Sequence, residues 1–176
     1  MEYSFIETIN NHKKDAQDYI EVVNKLTLGQ TQTLDNLVDE IVTTIRKPDY
    51  EIEIEKLQEY YLKISSELYL MVDKLKQFEI YSSLAKSNES ETYNFAYLEE
   101  TKAEGKKPAV EELKIRAGVK TQKASLVNTV YASAYKIIKS KIDAGNNIAD
   151  TLKNIIKVRT SLEFTTNQSN NNKGVF

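Results

Sequence analysis

The chain has 176 residues, a length that favours one domain, or one domain with an extension. It carries 24 basic and 26 acidic side chains, and 40% of its residues are hydrophobic. It contains no Cys, which excludes a disulfide, a zinc–thiolate site, an iron–sulfur cluster and a thiol nucleophile. Its five Gly and two Pro are too few for collagen-like or Gly/Pro-rich disordered classes.

The sequence shows no membrane or export signal. Glu2 stands where a signal peptide carries lysines, and no apolar stretch follows it. The longest uninterrupted apolar run covers residues 68–72, whereas a membrane-spanning helix needs about 20 apolar residues. We therefore expect a cytoplasmic protein without membrane contact.

The net charge of −2 conceals two halves of opposite sign. Residues 1–100 carry 10 basic and 20 acidic side chains, and residues 101–176 carry 14 basic and 6 acidic ones. Such a split is typical of polyanion binding, or of acidic and basic faces that pair within an assembly. A general bias of the coding sequence toward Lys is the alternative explanation.

Helical periodicity predicts two helices in the first 50 residues. The first covers residues 3–28 and ends at Gly29, because glycine readily adopts the left-handed conformation beyond a helix C-terminus. The second begins at Thr33 as N-cap and ends before Pro48, which has no N–H to continue the ladder.

A much longer helix is predicted from residue 50, capped by Asp49. Its apolar residues alternate steps of four and three, which defines a heptad seam typical of coiled coils. We expect this helix to break or kink near residues 87–90, where Asn88 and Glu91 have the spacing of a capping box. The seam comprises Tyr50, Ile54, Leu57, Tyr61, Ile64, Leu68, Met71, Leu75 and Phe78.

Beyond Gly105 and Pro108 the sequence predicts a short helix, a second long helix and a tail. The short helix covers residues 108–117 and ends at Gly118, and the long helix covers residues 121–162 with a kink at Gly145. The polar tail, residues 165–176, is expected to be flexible. The second seam comprises Ala124, Val127, Tyr131, Ala134, Ile138, Lys141, Gly145, Ile148, Leu152, Ile155, Arg159 and Leu162.

These elements predict an all-α, elongated helical bundle with two long coiled-coil-like helices and a short connecting helix. We expect an acidic N-terminal helical region at residues 1–86, a basic C-terminal helical region at residues 87–164, and the flexible tail. The two seams favour a homo-oligomer. An intramolecular antiparallel bundle that buries both seams is the alternative.

Catalysis has little support in the sequence, and we expect no enzyme, no cofactor and no metal. The only histidine, His12, lies in a polar stretch, and no phosphate-binding loop or nucleophile elbow is present. Glu51, Glu53 and Glu55 are more consistent with stabilising a helix N-terminus than with binding a divalent cation.

Binding of a polyanion has more support. Basic residues cluster around the predicted short helix and continue along the last long helix, where Tyr131 and Tyr135 lie among them as possible stacking surfaces for bases. A solvated basic face, and a core role for Tyr131, are the alternatives. The candidate nucleic-acid contacts are Lys106, Lys107, Lys114, Arg116, Lys120, Lys123, Lys136 and Lys139.

Residues 111–163 resemble the C-terminal half of the UvsY-type recombination mediators of tailed phages. The likeness lies in Glu112-Leu-Lys-Ile-Arg-Ala117, and in a long helix closing with Ile148-Ala-Asp-Thr-Leu-Lys-Asn-Ile-Ile-Lys-Val-Arg159. A Tyr-rich helix precedes both, at residues 93–104. The resemblance implies a ring-forming helical oligomer that binds single-stranded DNA and helps a recombinase displace a single-strand-binding protein.

The leading hypothesis is therefore a non-enzymatic, phage-type accessory protein that binds single-stranded DNA and assists recombination or replication proteins. If the resemblance carries over, Lys114, Arg116, Lys120 and Lys123 lie on the DNA face, and the host-cell cytoplasm is the site of action. The alternative is a protein-only interaction module, either a phage structural subunit or an inhibitor of a host or defence protein.

Overall fold

The computed structural model describes the backbone of residues 2–48, 52–102 and 109–171, and the side chains of residues 16–48, 52–102 and 109–162. Over these ranges it consists of four helices: α1 (Glu2–Ile45), α2 (Ile54–Lys102), α3 (Val110–Lys120) and α4 (Gln122–Asn171). The predicted all-α helical bundle is confirmed. Within the described residues, no helix is long and apolar enough to cross a membrane.

Helix α1 runs through Gly29 without a break, so the prediction of two helices in this region is wrong. Its buried side chains continue across the glycine at helical spacing, as Val23, Thr27, Thr31 and Leu34. Thr27 Oγ1 donates to the Val23 carbonyl at 3.0 Å, which satisfies its hydroxyl inside the helix. Polar threonines thus occupy buried positions that a search for apolar residues overlooks.

Helix α2 also continues where the sequence predicted a break, through residues 87–91. Ala85 and Ala96 are buried, and Glu89 and Thr92 are half-buried between them, so the alternation of three and four is preserved. Thr92 Oγ1 donates to the carbonyl four residues earlier at 2.6 Å. The predicted break is therefore a polar section of a continuous seam.

The beginning of α2 lies at Ile54 rather than at residue 50. Ile52 is buried ahead of the helix, and the Arg159 guanidinium of α4 donates to its carbonyl at 2.5 Å. This hydrogen bond fixes the chain in a non-helical approach to α2. The predicted cap Asp49 and the seam residue Tyr50 lie outside the described residues.

Helix α3 includes Gly118, where the sequence predicted its end. It ends at Lys120 and is capped by Thr121, whose N–H donates to the Ala117 carbonyl at 3.1 Å and whose hydroxyl donates to the same carbonyl at 3.0 Å. Helix α4 then begins at Gln122 and stays helical to Asn171, which includes the first part of the predicted tail. Pro108 and residues 172–176 lie outside the described part of the chain.

The chain divides into two compact units. Unit 1 comprises Met1–Gly29 and Lys74–Ile138, and unit 2 comprises Gln30–Asp73 and Lys139–Phe176. Unit 2 has a core of large aliphatic side chains from α1, α2 and α4. Its fully buried members are Leu34, Ile41, Leu57, Ile64, Met71 and Leu152.

Small side chains dominate the buried positions of unit 1. Ala85, Ala96, Ala117 and Ala134 are buried there, together with a few larger residues such as Phe78 and Leu113. Small residues allow helices to approach closely but bury little apolar area per residue. Polar bonds between helices are therefore a larger part of what holds unit 1 together.

Three of these bonds form two links between residues distant in sequence. The Tyr19 hydroxyl donates to the Thr129 carbonyl at 3.0 Å and also contacts the Ser133 hydroxyl, which links α1 to α4. Asn128 Nδ2 donates to Glu89 Oε2 at 2.6 Å, which links α4 to α2 at the polar section of the seam. Both links fix helix register, because each joins specific polar groups.

Helix α4 passes through Gly145 without interruption, and the glycine is buried in unit 2. A Cβ built on Gly145 would lie 2.8 Å from Leu68 Cδ2 and 3.3 Å from Leu34 Cδ1. Both leucines are themselves buried, so they have little room to withdraw. The predicted kink is wrong: Gly145 provides space for side chains of α1 and α2.

We expect opposite stability changes from Ala at Gly29 and at Gly145. Gly29 is exposed with nothing near its Cβ position, so Gly29→Ala should stabilise the protein by about 0.5–1 kcal/mol. Gly145→Ala should destabilise it by about 1 kcal/mol, because overpacking outweighs the gain in helix propensity. Chemical denaturation followed by circular dichroism at 222 nm measures both changes. A destabilised Gly29→Ala variant would contradict a continuous α1.

Candidate functional site

The cationic residues of the DNA-binding hypothesis fall into three groups. Lys106 and Lys107 lie outside the described residues. Lys114, Arg116 and Lys120 lie on α3, and Lys123, Lys136 and Lys139 lie on α4. All six described side chains are exposed, but the two helices place them in different electrostatic settings.

On α3, the cations are paired with carboxylates of their own chain. Arg116 contacts Glu112 at 2.6 Å on the same helix and Glu100 of α2 at 3.4 Å. Lys120 contacts Glu100 at 2.8 Å and Glu99 at 3.3 Å. We call these five residues the α2–α3 ion cluster. It joins two helices of unit 1 and offsets the positive charge that α3 would present to a phosphate.

Glu100 is the centre of the α2–α3 ion cluster. Its side chain is 12% exposed, whereas Arg116 and Lys120 are each about half exposed. Hydrogen bonding to Lys120 lowers the pKa of Glu100, with a smaller effect from Arg116. The bond to Glu100 likewise raises the pKa of Lys120, so both groups stay ionised at neutral pH.

The remaining α3 cation, Lys114, makes a longer contact of 3.7 Å with the exposed Glu111. A pair at this distance between two exposed side chains stabilises very little. Lys114 can therefore exchange its partner for another anion more readily than Arg116 or Lys120 can.

The three candidate cations of α4, Lys123, Lys136 and Lys139, have no ion pair among the described residues. Lys136 and Lys139 lie one helical turn apart on the same side of α4. Lys123 lies about three and a half turns earlier and about 140° around the helix from Lys136. The structure therefore groups two of these lysines and separates the third from them.

The tyrosines proposed as stacking surfaces are packed rather than free. Tyr131 is half-buried, and its ring centroid lies 5.6 Å from that of Tyr81, which lies 5.8 Å from Phe78. This aromatic cluster joins α2 and α4 within unit 1. Tyr135 is also half-buried.

The described residues contain no group of three or more His, Cys, Asp or Glu side chains placed to hold a metal ion. Glu53 and Glu55 fall in this range and do not form such a group. Glu51 and the side chain of His12 lie outside it.

Most residues of both predicted seams are covered within the chain, but Val127 and Leu162 of the second seam are 45% and 62% exposed. Ile64, Leu68, Met71, Phe78, Ile138 and Leu152 are buried, and Tyr61, Leu75, Tyr131, Ile148 and Ile155 are half-buried. Self-association through α2 or α4 therefore requires surfaces other than these residues.

Helix α2 has a second apolar face that the sequence analysis did not identify. In unit 2 this face carries Leu62, Tyr69 and Leu70, which are 65%, 78% and 57% exposed. Leu62 and Leu70 also line a groove of about 440 Å³ beside Thr33 and Leu37 of α1. A helix that is apolar on two opposite sides is normally covered on both.

In unit 1 the same helix exposes eight residues at strict alternation of four and three, which we call the outer stripe. A search for a second heptad register in residues 77–102 would have found this pattern in the sequence. The outer stripe comprises Gln77, Tyr81, Leu84, Asn88, Glu91, Phe95, Leu98 and Lys102, all of them exposed.

A wider groove of about 980 Å³ lies between α1 and α4 in unit 1. Its apolar lining includes Val22, Leu26, Leu126 and Val127, and Lys123 lies at its edge. The candidate cation Lys123 thus adjoins an apolar surface, which is an unusual setting for a phosphate contact and a common one for a protein interface.

Removal of the Glu100 carboxylate should destabilise the docking of α3 in a pH-dependent way. The pKa of Glu100 is lowered from 4.5 in the folded protein, so its stabilising effect is present above that value and lost as the pH falls below it. We expect Glu100→Gln to lower the denaturant midpoint at pH 7. In strong acid its denaturant midpoint should equal that of the parent protein. Glu111→Gln is the control and should leave the midpoint unchanged at both pH values. A difference that persists in acid would contradict an electrostatic role.

Comparison with known protein families, with curated proteins and with solved structures gave no match to this chain. The resemblance of residues 111–163 to UvsY-type mediators therefore stays a prediction.

Proposed function

We propose that this chain is a non-enzymatic interaction protein that docks exposed apolar helix faces onto other protein surfaces. The observation that carries the proposal is the double amphipathicity of α2. One side of this helix supplies the core of each unit. In unit 2 the opposite side exposes Leu62, Tyr69 and Leu70, and in unit 1 the outer stripe, about 100° around the helix from the buried residues, exposes Tyr81, Leu84, Phe95 and Leu98. Contiguous exposed apolar residues are typical of protein interaction sites.

The free energy available from burying these apolar side chains favours a protein partner over a nucleic acid. Complete burial of an exposed Leu, Phe or Tyr contributes roughly 1.5–3 kcal/mol, so three such residues support an interface of useful affinity. By comparison, Arg116 and Lys120 already pair with Glu99, Glu100 and Glu112. These neighbouring carboxylates offset their positive charge and would repel a phosphate.

The ionisation pattern supports a role without catalysis. Every shifted pKa among the described side chains belongs to a pair or cluster of Glu with Lys or Arg. The largest shift lowers the pKa of Glu59 to about 2, through hydrogen bonds from Lys63 and Lys56 on an open helix surface. Such shifts are typical of surface ion pairs rather than of an acid or base poised in a cleft.

A capture experiment with matched variants tests the proposal. The full chain is immobilised and exposed to a nuclease-treated extract of the cells in which it occurs. Leu62→Gln/Leu70→Gln and Leu84→Gln/Phe95→Gln remove apolar surface, while Lys136→Gln/Lys139→Gln removes charge. We expect bound protein to fall at least ~10-fold with one or both apolar variants, since two buried leucines contribute more than about 1.4 kcal/mol. The charge variant should capture as much as the parent.

Capture that disappears after nuclease treatment, or that depends on the lysines alone, would contradict the proposal. All three variants change exposed positions to a good helix former, so circular dichroism should show the parent helix content.

Binding of single-stranded DNA is a second candidate function. The observation in its favour is the run from residue 113 to residue 142, which contains no acidic residue. This run includes Lys123, Lys136 and Lys139, which make no ion pair within the described part of the chain. The resemblance to UvsY-type mediators points the same way. A recombinase or a single-strand-binding protein would then be the expected protein partner.

Titration of a labelled oligonucleotide tests this second function. Binding should weaken steeply as salt rises, because each phosphate contact releases about 0.7 counterions from single-stranded DNA. Lys136→Gln/Lys139→Gln should reduce both the affinity and the salt dependence. No binding at micromolar protein in low salt would exclude this function.

A further inference from the structure

The outer stripe of α2 has a regular geometry. Its eight residues follow one another at steps of 4, 3, 4, 3, 4, 3 and 4, so they form a second heptad register. Each member from Gln77 to Phe95 lies one residue before a buried or half-buried position of the seam, and therefore about 100° around the helix from it. The register spans about 38 Å of helix. Its four large apolar members, Tyr81, Leu84, Phe95 and Leu98, are 46%, 62%, 66% and 53% exposed.

The order of side chains along the outer stripe is symmetric about a point between residues 89 and 90. Polar Gln77 and Lys102 lie at its ends, and Asn88 and Glu91 lie at its centre. An apolar pair separates the centre from each end: Tyr81 and Leu84 on one side, Phe95 and Leu98 on the other.

We propose that the outer stripe pairs in antiparallel orientation with the outer stripe of a second copy of this chain. A two-fold axis through the midpoint places Leu84 of each copy against Phe95 of the other, and Tyr81 against Leu98. It places Asn88 against Glu91, where the amide N–H can donate to the carboxylate. The inference rests on the proposed interaction role and names a partner and a geometry for it.

The charged residues of the outer stripe favour antiparallel over parallel pairing of two copies. A parallel pair in register would set Glu91 against Glu91 and Lys102 against Lys102, and like charges at facing positions destabilise a helix pair. The antiparallel pair replaces these contacts with Asn88–Glu91 and Gln77–Lys102. A two-fold interface requires such self-complementarity, which an unrelated partner would not.

The area of the outer stripe fits a modest dimer. A standard interface buries about 800 Å² per partner, of which slightly more than half is apolar. Four large side chains that are each about half exposed provide roughly 400 Å² of apolar surface per copy. The neighbouring Ile80, which is 56% exposed, adds to this area at the edge of the stripe.

Complementary charge variants test both the surface and the orientation. Sedimentation equilibrium of the parent chain across micromolar concentrations should show a monomer–dimer equilibrium. Leu84→Glu and Phe95→Lys should each weaken self-association at least ~10-fold, because each change occurs twice in the dimer. An equimolar mixture of the two variants should recover much of the association. In the mixed dimer the introduced glutamate of one copy faces the introduced lysine of the other, while one Leu84–Phe95 contact is kept.

Leu70→Glu, in unit 2, is the matched control and should leave the dimer unchanged. Circular dichroism and thermal unfolding show whether each variant retains the parent fold. A parent chain that stays monomeric at several hundred micromolar would overturn the inference, as would single variants that dimerise normally. A mixture of Leu84→Glu and Phe95→Lys that does not recover self-association would also overturn it.

These outcomes separate the inference from the proposed function. If the parent chain is monomeric while the apolar substitutions still reduce protein capture, the proposed function is supported and the antiparallel pairing of two copies is contradicted. Suppose instead that the apolar substitutions leave the amount of captured protein unchanged, while the mixture of Leu84→Glu and Phe95→Lys recovers self-association. The proposed dimer is then supported, and the broader interaction role is contradicted.

Discussion

Each long helix of this chain buries a narrow stripe of residues spaced three or four apart, and the rest of the structure depends on that spacing. A stripe of this kind stays on one side of a helix over many turns, so helices of 44, 49 and 50 residues remain continuous. The stripe tolerates polar members such as Thr27 and Thr92, because their hydroxyls bond to carbonyls of their own helix.

The two units bury different kinds of side chain along these stripes. Unit 2 buries large aliphatic side chains around Gly145, whose missing side chain leaves room for Leu34 and Leu68. Unit 1 has mostly small buried residues and adds specific polar links, among them Asn128–Glu89 and the α2–α3 ion cluster.

Some of the opposite charges of the two sequence halves pair with each other within the chain. Glu99 and Glu100, from the acidic half, bind Arg116 and Lys120 from the basic half in unit 1. Asp35 binds Lys141 at 2.7 Å in unit 2. Of the candidate cations, Lys123, Lys136 and Lys139 make no ion pair with a described residue.

The sequence by itself determined the helical class and most of the residues on the buried side of the long helices, because apolar spacing reports directly on which side of a helix is covered. Val127 and Leu162 of the second seam are exposed. It misjudged Gly29, residues 87–91 and Gly145, since local propensity disfavours helix there while burial and hydrogen bonding elsewhere override it. Only the tertiary structure decided which carboxylates neutralise Arg116 and Lys120, and which apolar residues of α2 stay exposed. Both depend on contacts between helices far apart in sequence, and no local pattern specifies those contacts.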